Sequence, residues 1–270
     1  MGAVLISVAL LGYFAASVLY VAGLYDRQWE KWANIGMLAG FASQTAWLIG
    51  VSWTTRAFPA LTLYEWVAFF VWLTVGLYVI GWRRLFPRHV GGFLFPILFV
   101  VWLLSQTLSQ RVGTVPASLT APWLGVHIVL ATAGYVAFLF SAVFGIMYIE
   151  KERELKEKRA RLFYYQLPPL DLMDVYGARL IMVGVPLLAA AMVMGAVWAK
   201  TAWGSYWSWN AKELWSLITL AVYLGYLLAR WFGGWRGHRA AVLAMSAFLL
   251  VLVNIFAVNL LFHGVHDYNF

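Results

Sequence analysis

The chain has 270 residues, is 63% hydrophobic and 11% charged, carries a net charge of +8 and contains no cysteine. Soluble domains run at about 45–50% apolar and about 25% charged residues, so this composition excludes one and indicates a polytopic membrane protein. Without cysteine there are no disulfides, no thiolate metal sites, no CxxC redox pair and no CxxCH attachment motif on this chain.

About 20 apolar residues cross a bilayer as a helix. Eight such runs follow in chain order: 2–24, 35–54, 62–82, 90–108, 122–149, 178–199, 213–232 and 240–262. The first lacks a basic n-region and an A-x-A-like cleavage site, so it reads as a retained helix rather than a signal peptide. No repeat or low-complexity linker interrupts the series. The expectation is one integral-membrane domain over 1–270, an all-α bundle of about eight transmembrane helices.

The 19 Lys and Arg residues are distributed unevenly. The odd-numbered loops hold 15 of them, among them Arg83, Arg84, Arg88 and the run Lys151, Arg153, Lys156, Lys158, Arg159, Arg161. The even-numbered loops hold four: Arg56, Arg111, Lys200 and Lys212. Cytoplasmic loops carry the excess of cations, so the odd loops are read as cytoplasmic and both termini as extracytoplasmic. In a membrane chain this assigns the positive balance to topology, with no nucleic acid as partner. The segment EKERELKEKRARL, 150–162, places Glu152/Lys156, Glu154/Lys158 and Glu157/Arg161 at i,i+4, which extends the fifth helix into water. Pro168-Pro169 in YYQLPPLDLMDVYG then breaks the helix and begins a re-entry loop.

The stretch WGSYWSWNAKELWSL, 203–217, contains Trp203, Trp207, Trp209 and Trp215. Tryptophan commonly anchors membrane interfaces, yet four in one loop with Gly204 and Asn210 between them form an aromatic surface. The topology puts it on the outer face. Of five histidines, His127 opens the fifth helix on that face, and His263 and His266 follow the eighth helix there; His89 and His238 fall on the other side. Two neutral imidazoles could hold haem iron from opposite faces, with indoles packed on the porphyrin and Lys200, Lys212 or Arg111 near the propionates. The same residues also fit plain readings: interfacial anchors, hydrogen-bonded surface histidines, or a three-His metal site, which lacks an HxH or HxxxH pair.

The motif WGSYWSWNAKELWSLIT resembles the tryptophan-rich WWD signature of the haem-handling family of cytochrome c biogenesis, in its CcsA/ResC branch. RAFPALTLYEW at 56–66, PWLGVHIVLATAGY around His127, and GWRGHRAAVLAMSAFLL with VNLLFHGVHDY at the end resemble other segments of that branch. The resemblance runs from about residue 40 to the C-terminus. It implies a helical bundle with a WWD-type loop, here 201–216, on the outer face. It implies non-covalent haem b between His127 and His266, lined by Trp203, Trp207, Trp209, Asn210 and Trp215, and presented to apocytochrome c, with export of the haem across the membrane left open as an earlier step. It further implies a CcsB/ResB-like membrane protein as partner, a role within a haem-lyase complex, and a bacterial cytoplasmic membrane or its equivalent.

Three departures stand out. Asn210 occupies the position of the family aspartate. Gln44 or Ala57, and Leu228, occupy the positions of two further histidines that the haem-exporting members carry inside the membrane, which leaves Glu65 as the clearly intramembrane ionisable group. Asp267 follows His266 and could accept from its ring N–H. The missing membrane histidines suit a HemX-like regulator of tetrapyrrole synthesis as an alternative; a membrane scaffold or transporter without haem is the third reading.

Overall fold

A computed structural model describes residues 2–81, 86–87, 89–108, 122–158 and 165–257. It contains α1 (Gly2–Gly23), α2 (Gln28–Thr55), α3 (Leu63–Gly81), α4 (Val90–Ser105), α5 (Pro122–Lys156), α6 (Leu170–Trp203), α7 (Ala211–Trp231) and α8 (His238–Leu252), then a π turn, Val253–Ala257. No strand occurs among the described residues. Among the described residues, seven helices are long and apolar enough to cross a membrane. Helix α4, at 16 residues, rises about 24 Å at 1.5 Å per residue, short of the ~30 Å hydrocarbon core. The chain is an all-α polytopic membrane protein, as its composition indicated.

The start of the sixth helix differs from the sequence reading in an informative way. Helix α6 starts at Leu170 rather than near 178. Pro169 is its N-cap residue and Asp171 sits in its first turn, where an anion is favoured by the helix dipole. The two prolines therefore launch a helix, and the re-entry segment is its first two turns; its aspartates disguise it from an apolar count. Helix α5 continues into the charged segment as expected but ends at Lys156, short of the 150–162 reading, with Lys158 at φ 50° just beyond it; Arg161 lies outside the described residues. Its tail carries an Arg153–Glu157 ion pair at 3.1 Å, whereas Glu152 turns to another helix.

The chain divides into two compact units, 1–112 with 153–168, and 113–152 with 169–270. In the first, α1 and α2 meet through glycines. A methyl group on Gly12 would lie 2.7 Å from the Gly36 carbonyl, and one on Gly40 3.0 Å from the Tyr13 ring. Such small residues let helix backbones approach in lipid, where van der Waals packing rather than water expulsion drives association. Gln44 ties three helices: its Oε1 accepts from Tyr13 Oη at 2.6 Å and its Nε2 donates to the Ala68 carbonyl at 3.0 Å. Glu65 is buried at the start of α3. Its carboxylate accepts from the Leu61 N–H at 2.8 Å, while Thr62 Oγ1 accepts from the Glu65 N–H at 3.1 Å. This is capping-box chemistry displaced by one residue, and it gives the intramembrane carboxylate a structural job.

The second unit holds α5 to its Glu152, then α6, α7 and α8. Helices α5 and α6 approach at Gly134 and Gly184, where an added methyl would meet the opposing carbonyl at 3.2 and 3.1 Å. Phe138 on α5 stacks on Tyr223 of α7 with centroids 3.6 Å apart. At the end bearing Glu152, the Asp174 carboxylate of α6 accepts two bonds from the Arg230 guanidinium of α7, at 3.0 and 2.7 Å, and one from the Gly237 N–H before α8, at 2.9 Å. His238 Nδ1 meets Glu152 at 2.5 Å. A cavity of about 10 Å³ beside Ser141, Tyr148, Asp174 and Gly237 has the size of one water.

Candidate functional site

The tryptophan loop joins α6 to α7, and both of its edges are built by local chemistry. Gly204 ends α6 in the left-handed conformation, φ 79°, with its N–H bonded to the Lys200 carbonyl, the αL cap that glycine adopts without strain. Lys200 Nζ donates to the Gly204 carbonyl at 2.8 Å and lies 5.4 Å from the Tyr206 ring centroid. This lysine, a sequence candidate for propionate binding, is engaged in bracing the loop.

Asn210 is the N-cap of α7. Its Oδ1 accepts from the Glu213 N–H at 2.9 Å, and its Nδ2 donates to Ser208 Oγ at 3.0 Å. The Glu213 carboxylate turns back to accept from the Ser208 N–H at 2.9 Å and from Ser208 Oγ at 3.1 Å. The amide at position 210 thus supplies both an acceptor and a donor beside a carboxylate. An aspartate there would keep the cap but bring a second negative charge to Glu213.

Between these caps, Trp209 holds φ at 56°. A bulky residue in the left-handed region stores on the order of 1–3 kcal/mol of strain, held by its surroundings. Its side chain is 72% exposed and stands edge-on to Trp207, centroids 5.8 Å apart. Trp207 is half-buried, and its Nε1 is enclosed without a hydrogen-bond partner among the described residues. Trp215 lies in the second turn of α7, half-buried. Trp203 closes α6; its side chain lies outside the described residues.

His127 lies in the second turn of α5, and its Nδ1 is 2.6 Å from the Ala191 carbonyl of α6. The ring rests against Gly195: a methyl there would come within 2.7 Å of Cε1 and 2.8 Å of Nδ1. Gly195 stands about two turns before Trp203, where α6 gives way to the loop. The second unit therefore brings His127 and the tryptophan loop to the same end. His266, with His263, Asp267 and Arg111, lies outside the described residues. Among those described, no three His, Asp or Glu side chains gather into a metal-binding group. Leu228 is 53% exposed.

Below the loop runs a polar cluster that sequence reasoning missed. Asn254, in the π turn, donates to Tyr135 Oη of α5 at 3.1 Å and to Ser216 Oγ of α7 at 3.2 Å. Its Oδ1, with Tyr223 Oη and Thr132 Oγ1, is buried without a partner among the described residues. An isolated Asn in an apolar run was the only signal available.

Residues 60–266 match the family described as "Cytochrome C assembly protein". Relatives named cytochrome c biogenesis protein CcsA include one from Synechocystis sp., 30% identical, covering 97% of this chain and 94% of its own. The Synechococcus elongatus relative is 31% identical with 82% of each chain covered, and that of Heterosigma akashiwo 29% identical with 88% and 85% covered. Among solved structures, "Cytochrome c Heme Lyase CcmF" superimposes with a TM-score of 0.66 at 15% identity over 93% of this chain; the match spans 46% of that longer chain. At this identity the likeness is one of fold. The matched span and the two relatives at 30% identity or above together establish that the chain belongs to the cytochrome c assembly protein family.

Proposed function

We propose that this protein handles haem during cytochrome c maturation, taking it as cargo at the extracytoplasmic face and presenting it to apocytochrome c. The observation that carries this reading is the juxtaposition, within one helical unit, of His127 and a braced, strained tryptophan loop at the same end. The donor set suits haem b. An imidazole supplies nitrogen to iron. Trp207 and Trp209 supply flat apolar surface, and the enclosed Trp207 N–H supplies a donor seeking an acceptor. His127 and His266 are the proposed axial ligands, and Trp203, Trp207, Trp209, Asn210 and Trp215 the proposed lining. The distribution of Lys and Arg supports an outer location for this end and for both termini. A CcsB/ResB-like membrane protein is the proposed partner, in a bacterial cytoplasmic membrane or an equivalent one. The names of the CcsA relatives and of the haem lyase sharing the fold support the assignment.

Haem export is not part of this reading. The Gln44 amide is committed to Tyr13 and Ala68, and Leu228 offers no ligand atom. The same two residues favour the second reading, a HemX-like regulator of tetrapyrrole synthesis. The test is an absorption spectrum of the detergent-purified protein, oxidised and then dithionite-reduced. A Soret band with sharp reduced α and β bands, lost in His127→Ala and in His266→Ala, is expected. Equal haem in wild type and the double variant removes the ligand assignment. Intact c-type cytochromes in a deletion strain, with altered haem precursors, would favour the regulator.

A further inference from the structure

We infer that Gly195 of α6 is a positioning residue for His127: its missing side chain seats the imidazole on the α6 backbone, so that Nδ1–H is bonded to the Ala191 carbonyl and Nε2 alone is left to take a metal. The inference rests on the haem reading above but goes beyond it, because it fixes which nitrogen serves and what holds the ring.

A carbonyl oxygen has no proton to give, so the 2.6 Å contact from Nδ1 to Ala191 requires the proton on Nδ1. A neutral imidazole then keeps one lone pair, on Nε2. Metal-ligating histidines commonly have their second nitrogen fixed by a carbonyl or carboxylate, which sets the tautomer and the ring plane and raises basicity. The sequence offers no carboxylate near His127; the backbone of α6 takes that place.

This contact exists only because the two helices run close. Gly134 and Gly184 bring the backbones together further along the pair. At the His127 level the gap is filled by the ring itself. A Cβ on residue 195 would stand 2.7 Å from Cε1, 2.8 Å from Nδ1 and 3.6 Å from Nε2. Carbon atoms rest at about 3.5–4.0 Å, so an alanine displaces the ring by roughly 1 Å and breaks the Nδ1 bond. Ala191 and Gly195 stand four apart, so the Ala191 carbonyl is also the regular helical acceptor of the Gly195 N–H. The ring is thus keyed to one helical turn.

Helix propensity argues the other way. Glycine inside a helix costs about 1 kcal/mol relative to alanine. If position 195 served only the helix, Gly195→Ala would leave the protein at least as stable and its spectrum unchanged. Gly225 of α7, whose added methyl would meet nothing within 4 Å, is the matched control.

The experiment takes the full-length protein in detergent, loads it with haem, and records absorption and electron paramagnetic resonance spectra with and without added imidazole. The variants are Gly195→Ala, Gly225→Ala and His127→Gly. Expected is a loss of the low-spin bis-nitrogen signature in Gly195→Ala, with haem affinity lowered about 10–100-fold, the usual effect of losing a histidine's outer partner. Free imidazole restores the signature in Gly195→Ala and His127→Gly, and Gly225→Ala matches wild type. A wild-type spectrum from Gly195→Ala overturns the inference while leaving the ligand assignment intact. So does a Gly195→Ala defect that imidazole cannot rescue while His127→Gly is rescued. A wild-type spectrum from His127→Gly overturns the haem reading itself. Nitrogen NMR of histidine-labelled, haem-free protein gives an independent readout. The Nδ1–H tautomer of His127 is expected in wild type and lost in Gly195→Ala; the Nε2–H tautomer in wild type overturns the inference whatever the haem data say.

Discussion

At the Glu152 end of the second unit, the buried Asp174 and Arg230 charges are matched to each other. Asp174 accepts three hydrogen bonds, two from Arg230 and one from Gly237, and His238 meets Glu152. From the middle of the helices to the tryptophan loop, polar atoms are enclosed without partners among the described residues: Tyr223 Oη, Thr132 Oγ1, Asn254 Oδ1 and Trp207 Nε1. Ser141 Oγ at the first end shares that condition, but it lines the water-sized cavity beside Asp174. Polar groups are expensive to bury unless hydrogen-bonded. The matched end is built to hold four helices together; the unmatched end keeps hydrogen-bonding capacity in reserve, where a polar-edged guest is expected.

This contrast can be broken by substitution. The largest effect is expected from Asp174→Ala. Arg230 is 13% exposed and Asp174 10%, and removing one partner of a buried ion pair costs about 3–5 kcal/mol. Thermal unfolding in detergent should report it. The double variant Asp174→Leu, Arg230→Leu should recover much of the loss, since the remaining charge is gone. Haem bound per folded molecule should stay at the wild-type level in both. A spectral change in the double variant would merge the two ends into one site.

Asn254→Ala should be milder, about 1 kcal/mol, because interhelical hydrogen bonds in membranes average near 0.6 kcal/mol each and two are removed. If the cluster is structural only, haem spectra are unchanged. The smallest effects belong to the loop. Asn210→Ala should cost about 1 kcal/mol of local stability through the lost cap. Asn210→Asp should cost less than that, because it keeps the cap oxygen and gains from the helix dipole against the nearby Glu213. Hydrogen exchange over 205–215 separates these two, and an Asp variant frayed as far as the Ala variant would contradict the cap geometry.

Much of this was legible in the chain itself. Eight apolar runs correspond to eight helices, and the Trp-Gly and Asn-x-x-Glu patterns mark where α6 ends and α7 begins. The start of α6 was hidden because Asp171 and Asp174 interrupt the apolar count, although Pro169 is a lawful helix opener. Asp174 needs a partner 56 residues away and His127 one 64 residues away; no local pattern carries such pairings. The Ala191 partner is, besides, a backbone carbonyl, which every residue possesses. Gly195 could be noticed in the sequence but not understood, since its meaning lies in a ring from another helix.

The π turn at Val253–Ala257 has an evolutionary arithmetic of its own. A π turn accommodates one residue more than the α turn it replaces. Each helical residue advances the chain by about 100° around the axis, so the extra one shifts the helical register by that angle while Ala244 and its neighbours on α8 keep their packing. A single-codon deletion between 253 and 257 is therefore a rotation rather than a truncation. Every side chain of α8 before it would stay in place, while Asn254 would lose its register against Tyr135 and Ser216.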